Sequence, residues 1–321
     1  MASSLPKRLV ILVAITLLLL LSSEMAMAKG KGKGKGKGKG KNSNDVLTYH
    51  GGPLLTGTIN LSVLYYGQVG HVQKKQIRAF IKSLNSDKGG QQPSVGSWWR
   101  MVESYQSMAN KGLKNNIPRI TVRVARAITD TSYSAGKIMT MDFVKLLVDK
   151  ATGGKPNTLA VIFTDRQVTV QDMCTGRCAQ HGVVGNQPFV LVGNPETECP
   201  DACAWPFVKA SSGPTGVILQ PPSGNLGADA MVLSLAAGLA DAVTNPLGDG
   251  IYMMGARHEG QVGPVTACRD IFGSGAFPGY TGKVRVDPKT GGAFNFHGVK
   301  GNKFLLPAVW NPATRQCWTP L

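Results

Sequence analysis

The side chains of this sequence with the means to do covalent or metal chemistry are six cysteines and five histidines, and spacing decides what they could do. Four cysteines form two short pairs, Cys174-x3-Cys178 and Cys199-x3-Cys203; Cys268 and Cys317 complete the set. An even number favours disulfides wherever the compartment is oxidising. Six cysteines allow fifteen connectivities, so spacing leaves the pairing open; the preferred arrangement links the two short pairs to each other and Cys268 to Cys317. The competing reading is a zinc site of four thiolates, but such sites usually show C-x2-C spacing and need thiols that escape oxidation.

None of His50, His71, His181, His258 and His297 stands four residues from another, so the H-E-x-x-H helix of a zinc peptidase is missing. His258 precedes Glu259 with no second histidine and reads as a loop pair. His181 follows Cys178 by three residues, which invites a Cys–His nucleophile pair. A catalytic thiolate would leave one cysteine of the even set unpaired, which argues against it. "FGSGA" at 272–276 lacks both glycines of a nucleophile elbow, so Ser274 reads as a loop residue. "GGKPN" at 153–157 lacks the glycine spacing and the hydroxyl residue of a phosphate-binding P-loop. These residues predict no catalytic set, no metal and no cofactor. Asn60-Leu61-Ser62 is an N-glycosylation sequon inside a predicted strand.

Charge is the stronger signal. Lys7 and Arg8 precede thirteen residues, 9–21, that are apolar except for Thr16, and Ala26-Met27-Ala28 offers a small-x-small cleavage site. Residues 1–28 therefore read as a secretory signal peptide, too short in its apolar run for a membrane span. Behind it Lys29, Lys31, Lys33, Lys35, Lys37, Lys39 and Lys41 alternate with glycine. Glycine entropy and like-charge repulsion disfavour helix and strand there, so 29–44 is expected to be a flexible cationic arm. Outside leader and arm, 26 basic face 17 acidic residues, about +9. Such a balance attracts polyanions, and for a secreted protein that means acidic polysaccharide or an anionic surface rather than nucleic acid, for which no motif is present. No later run nears the twenty or so apolar residues of a spanning helix, so the mature protein is expected to be soluble.

The elements that must position these residues alternate. "TINLSVLYY" at 58–66 puts Ile59, Leu61, Val63 and Tyr65 on one face of a strand. Residues 73–85 carry Ile77, Phe80, Ile81 and Leu84 at helical spacing, and Trp98, Met101, Val102 and Tyr105 repeat it. The latter stripe reads as core rather than as a sugar-stacking platform. A strand at 119–127, a helix at 139–151 bearing Phe143, Val144, Leu147 and Val148, and the buried strand "TLAVIFT" at 158–164 follow. Short strands are expected at 188–193 and 216–219, then an almost wholly apolar helix at 228–243 stopped by Asn245-Pro246. The order implies one α/β domain over 45–321: a mixed, largely parallel sheet flanked by helices, with a disulfide-stapled, loop-rich second half.

Several segments together resemble the EXORDIUM family, also called phosphate-induced protein 1: "VLTYHGGPLLTGTINLSVLYYGQ", "VTVQDMCTGRCAQHG", "ETECPDACAWPF", "GADAMVLSLAAGLADAVTNP", "GSGAFPGYTGK" and "KFLLPAVWNP". The likeness covers nearly all of 46–321; the lysine–glycine arm departs from the family pattern. It implies a secreted plant apoplastic protein tied to brassinosteroid-promoted growth, cell expansion and carbon status, and supplies no reaction. The helix tail "GLADAVTNP" is also similar to a motif of zinc-peptidase-like proteins, HELAEAVTDP, which carries the expectation of a degenerate zincin-like fold. That alignment puts Ala237 at the metal-ligand position, Gly238 at the general-base position and Asp241 at a further acid, and neither a methyl nor a glycine can do that chemistry. The first reading is a non-catalytic secreted wall- or surface-binding protein of unknown receptor. The alternatives are an apoplastic hydrolase with an unrecognised site and a structural wall component held by charge.

Overall fold

The computed structural model describes residues 46–86, 90–113, 116–209, 216, 218–255 and 260–321; Lys29 to Lys41, the expected leader, His258 and Glu259 lie outside the described residues. Alternation in "TINLSVLYY" builds the interior strand β1 (Thr58–Tyr66). Period-two geometry sends Leu61, Val63 and Tyr65 into one core and Leu64 and Tyr66 into another, on opposite faces of the sheet.

Four further strands join it: β2 (Thr121–Asp130), β3 (Leu159–Thr164), β4 (Ala179–Val184) and β5 (Gln187–Val192). Their order is β2-β1-β3-β5-β4, with every pair parallel except the β4–β5 hairpin. On one face lie α1 (His71–Leu84), α2 (Val95–Glu103) and α4 (Leu226–Thr244); on the other lies α3 (Met141–Thr152). This is a doubly wound α/β sheet with one antiparallel edge, and strand order reverses between β1 and β3.

Local chemistry sets the element ends. Ser94 accepts from Ser97 N at 3.1 Å to start α2, and α3 stops at Gly153, whose φ of +61° suits a residue without Cβ. Asn225 Oδ1 caps Ala228 N at 2.8 Å to open α4. Trp98, Trp99 and Tyr105 are wholly buried, which makes the aromatic stripe core. At the free edge of the sheet, Asn85 donates to Val122 O and accepts from Val122 N, both at 2.8 Å, and a bulge at Ala125 breaks the β2 register just beyond.

Three expectations are corrected. Phe143 is 45% exposed rather than on the buried face of α3, which turns only Val144, Leu147, Val148 and Ala151 inward. Described residues 216, 218 and 219 form no strand, and Ile218 is half exposed. Strand β4 was not foreseen because "AQHGVV" has no clean alternation; the Gly185-Asn186 turn that follows, with Gly185 at φ +61°, carries the hairpin signal.

All six cysteines are paired: Cys174–Cys199, Cys178–Cys203 and Cys268–Cys317. No thiolate is left for a zinc site or a nucleophile. The first two bonds tie the segment before β4 to the segment after β5. Cys268–Cys317 fastens the end of the chain, where most strands are two or three residues long.

Helix α4 is long and apolar enough to cross a bilayer by composition, yet 89% of that stretch is buried inside the protein, as in the core helix of a soluble fold. Leu239 is fully buried there, so Leu239→Ala should cost about 3 kcal/mol in denaturant unfolding. A second expectation concerns Asp229, which accepts from Ser223 N (2.8 Å), Ser223 Oγ (2.7 Å) and Gln76 Nε2 (3.3 Å). Burial, outweighing these donors, lifts its carboxyl from 3.8 to about 6. The folded state then keeps a proton that the unfolded chain releases, so this contribution is complete below about pH 4 and is lost as pH rises through 6. Unfolding free energy of the wild type, taken relative to Asp229→Asn, should fall by about 2 kcal/mol from pH 4 to pH 7; a flat difference contradicts the assignment.

Candidate functional site

The buried helix meets open space at one place. A cavity of about 450 Å³ lies over the middle of α4, within the range of small-molecule sites. Leu233, Ser234, Ala237, Gly238 and Asp241 form its helical wall. Residues of β4, the Cys178–Cys203 bridge and the loop bearing Val265 and Thr266 close it. Between Met231 and Thr244, Ala237 is the most exposed helix residue, because the cavity lies above it.

Two titratable groups, Asp241 and His181, line this space and interact electrostatically. Asp241, 3% exposed, accepts from Val265 N at 3.3 Å and from the Thr266 hydroxyl. Gly263 makes that approach possible, since a Cβ there would stand 2.4 Å from Asp241 Oδ1. His181 projects from β4. Burial pushes the Asp241 carboxyl up and the His181 imidazole down, and the charge of each opposes the shift of the other. Both are thus biased toward their neutral forms.

The remaining lining has two characters. Trp205 and Phe272 stand 5.8 Å apart between ring centroids and give an aromatic wall. Arg177, 3.6 Å from Asp172, and Arg269 bring positive charge. An aromatic wall beside guanidinium groups and a hydrogen-bonding floor suits a ring that carries hydroxyls and a carboxylate.

The structure brings Ala237, Gly238, Asp241, Cys178 and Cys203 to this cavity. It leaves Asn60 apart, half-buried in β1 opposite Arg123, and Cys268–Cys317 elsewhere. Gly238 has a packing reason for its lost side chain. A Cβ there would lie 2.8 Å from Val190 Cγ1 and 2.9 Å from Ala179 Cβ, so the position assigned to a general base points at the β4–β5 hairpin and has no room for a carboxylate. Among the described residues no group of three or more His, Cys, Asp and Glu side chains could hold a metal ion. Sequence reading weighed His181 only against Cys178, which is disulfide-bonded; its partner Asp241 lies sixty residues on, reachable only through the unforeseen β4.

Fold and cavity together define a disulfide-stapled, doubly wound α/β protein with a binding-sized cavity over its core helix. The "Phosphate-induced protein 1 conserved region" matches residues 47–320, and the chain belongs to this family. It is 42% identical to Protein EXORDIUM-like 6 of Arabidopsis thaliana over 83% of this chain and 89% of that protein. Identity to Protein EXORDIUM of the same plant is 38% (85% and 89% covered), and to Protein PHOSPHATE-INDUCED 1 of Nicotiana tabacum 34% (86% and 88%). No solved structure matches the chain.

Replacing Asp241 separates its two roles. Asp241→Ala strands the Val265 and Thr266 donors and should cost about 2 kcal/mol, whereas Asp241→Asn keeps the Val265 bond through its Oδ1 and can donate from Nδ2 to the Thr266 hydroxyl oxygen, and should cost about half of that. In Asp241→Asn the His181 pKa, followed by NMR titration, should drop further, because the carboxylate that raises it is gone. An unchanged titration would mean that the two groups do not interact.

Proposed function

We propose that this is a secreted apoplastic protein that acts without catalysis in brassinosteroid-dependent growth and cell expansion, by binding acidic saccharide of the cell wall. The observation that carries the reading is the cavity over α4, where Arg177 and Arg269 stand beside the Trp205–Phe272 wall and the Asp241–His181 floor. Membership in the phosphate-induced protein 1 family and three disulfides support the setting. The excess of basic residues supports an acidic polymer, with Lys29 to Lys41 as a second, sequence-independent hold on it. In this reading α4 is a zinc-peptidase-like helix without ligand or base.

A hydrolase reading draws support from the Asp241–His181 pair. It needs a nucleophile or a metal-bound water, and stoichiometric zinc together with cleavage of a peptide or glycan by the purified protein would favour it.

The binding reading is tested by calorimetry with trigalacturonic acid against an uncharged trisaccharide. Only the acid should bind, and Arg269→Gln should weaken it at least tenfold, about 1.4 kcal/mol. Deleting residues 29–41 should leave this affinity unchanged while lowering the salt needed to elute the protein from polygalacturonate. Equal binding of both trisaccharides, or none of either, contradicts the proposal.

A further inference from the structure

A second cavity, of about 350 Å³, shares no lining residue with the first. It lies beyond the carboxyl ends of β1 and β3, where strand order reverses, the position at which open α/β sheets take ligands. Two long helices start there. Gly70, the N-cap of α1, has no side chain, and the N–H groups of His71, Val72 and Gln73 find no acceptor among the described residues. The start of α4 comes close because Gly227 has no Cβ; one there would stand 2.6 Å from Gln73 Nε2 and 3.2 Å from Glu196 Oε2.

An independent group points into the same space. Asn194, 1% exposed, lines the cavity and accepts from Glu196 N at 3.0 Å, while its Nδ2 has no partner among the described residues. An amide donor left open on a nearly buried side chain calls for an acceptor from a ligand or solvent.

Charge narrows the ligand class. Asp165 is already held by Tyr133 OH (2.6 Å), Gln68 N (2.7 Å) and Gln167 N (2.9 Å). Glu196 takes Gln73 Nε2 at 3.3 Å and lies 3.6 Å from Arg166. Two carboxylates, one guanidinium and two helix N-termini of about +0.5 each sum to roughly zero. A plain anion meets the carboxylates and a plain cation meets the helix ends. The unsatisfied groups are N–H donors suited to an anionic oxygen, and the carboxylate beside them suits an ammonium.

We infer that this switch-point cavity binds a free α-amino acid as its zwitterion, the carboxylate on the open N–H groups of α1 and Asn194 Nδ2, the ammonium on Glu196. The test uses the full-length secreted protein, with calorimetry and thermal shift against L-alanine and L-glutamine. At least one should bind saturably, while N-acetyl-alanine, alaninamide, glucose and inorganic phosphate should bind at least tenfold more weakly. Asn194→Asp puts a negative charge where the free donor stands, and Gly70→Ser gives α1 a hydroxyl cap for its own N–H groups. Each should weaken binding at least tenfold, and Gly70→Ser should do so without lowering the melting temperature. Failure of both amino acids to bind, equal binding of N-acetyl-alanine, preference for glucose or phosphate, or wild-type affinity in Gly70→Ser overturns the inference.

Discussion

The approach of α4 to the β4–β5 hairpin, where Gly238 lies against Val190 and Ala179, is the contact on which the rest of the protein is built. Even one methyl group at that position would push the helix off the sheet. Close packing there fixes the rotation of α4, and the rotation decides that Ala237 and Asp241 look into one cavity. It also brings Gly227, at the other end, up to Gln73 and Glu196 at the mouth of the second. A helix apolar nearly all round is therefore a core element and the wall of one cavity, and its N-cap Asn225 reaches the other.

Buried polar groups do much of the positioning around it. Glu103, fully buried at the end of α2, accepts from Ile120 N at 2.9 Å and lies 3.0 Å from Arg119 Nε, so the carboxylate pins the start of β2 to the helix layer. Asn295 works in the same way in the loop-rich half, donating to Phe272 O and Leu306 O and accepting from Leu306 N at 2.7–2.8 Å. With so few long strands there, such carboxamide bridges and the Cys268–Cys317 bond replace regular ladders.

How much of this was legible in the sequence follows from the kind of interaction. Leu61, Val63 and Tyr65 announce β1, and Leu235, Leu239 and Val243 announce α4, because period and apolarity are local properties. Phe143 was misplaced because a helical stripe gives a direction and not its width. The sequence also marks Asp241 and His181 as residues able to do chemistry. Their meeting depends on β4 running antiparallel at the sheet edge, a tertiary choice with only the Gly185-Asn186 turn as its local trace. Likewise the glycine at 238 looks like a lost catalytic residue in one dimension and like a packing requirement in three.

The Asn85 clamp on Val122 also guards the sheet margin against self-association. A ten-residue strand at an open sheet margin is a template on which other chains can polymerise. Here a carboxamide occupies the first outward N–H and C=O as a dummy strand would, the bulge throws the next residues out of line, and Arg123 and Arg126 charge the margin. The protein can thus reach high local concentration without stitching itself into fibres.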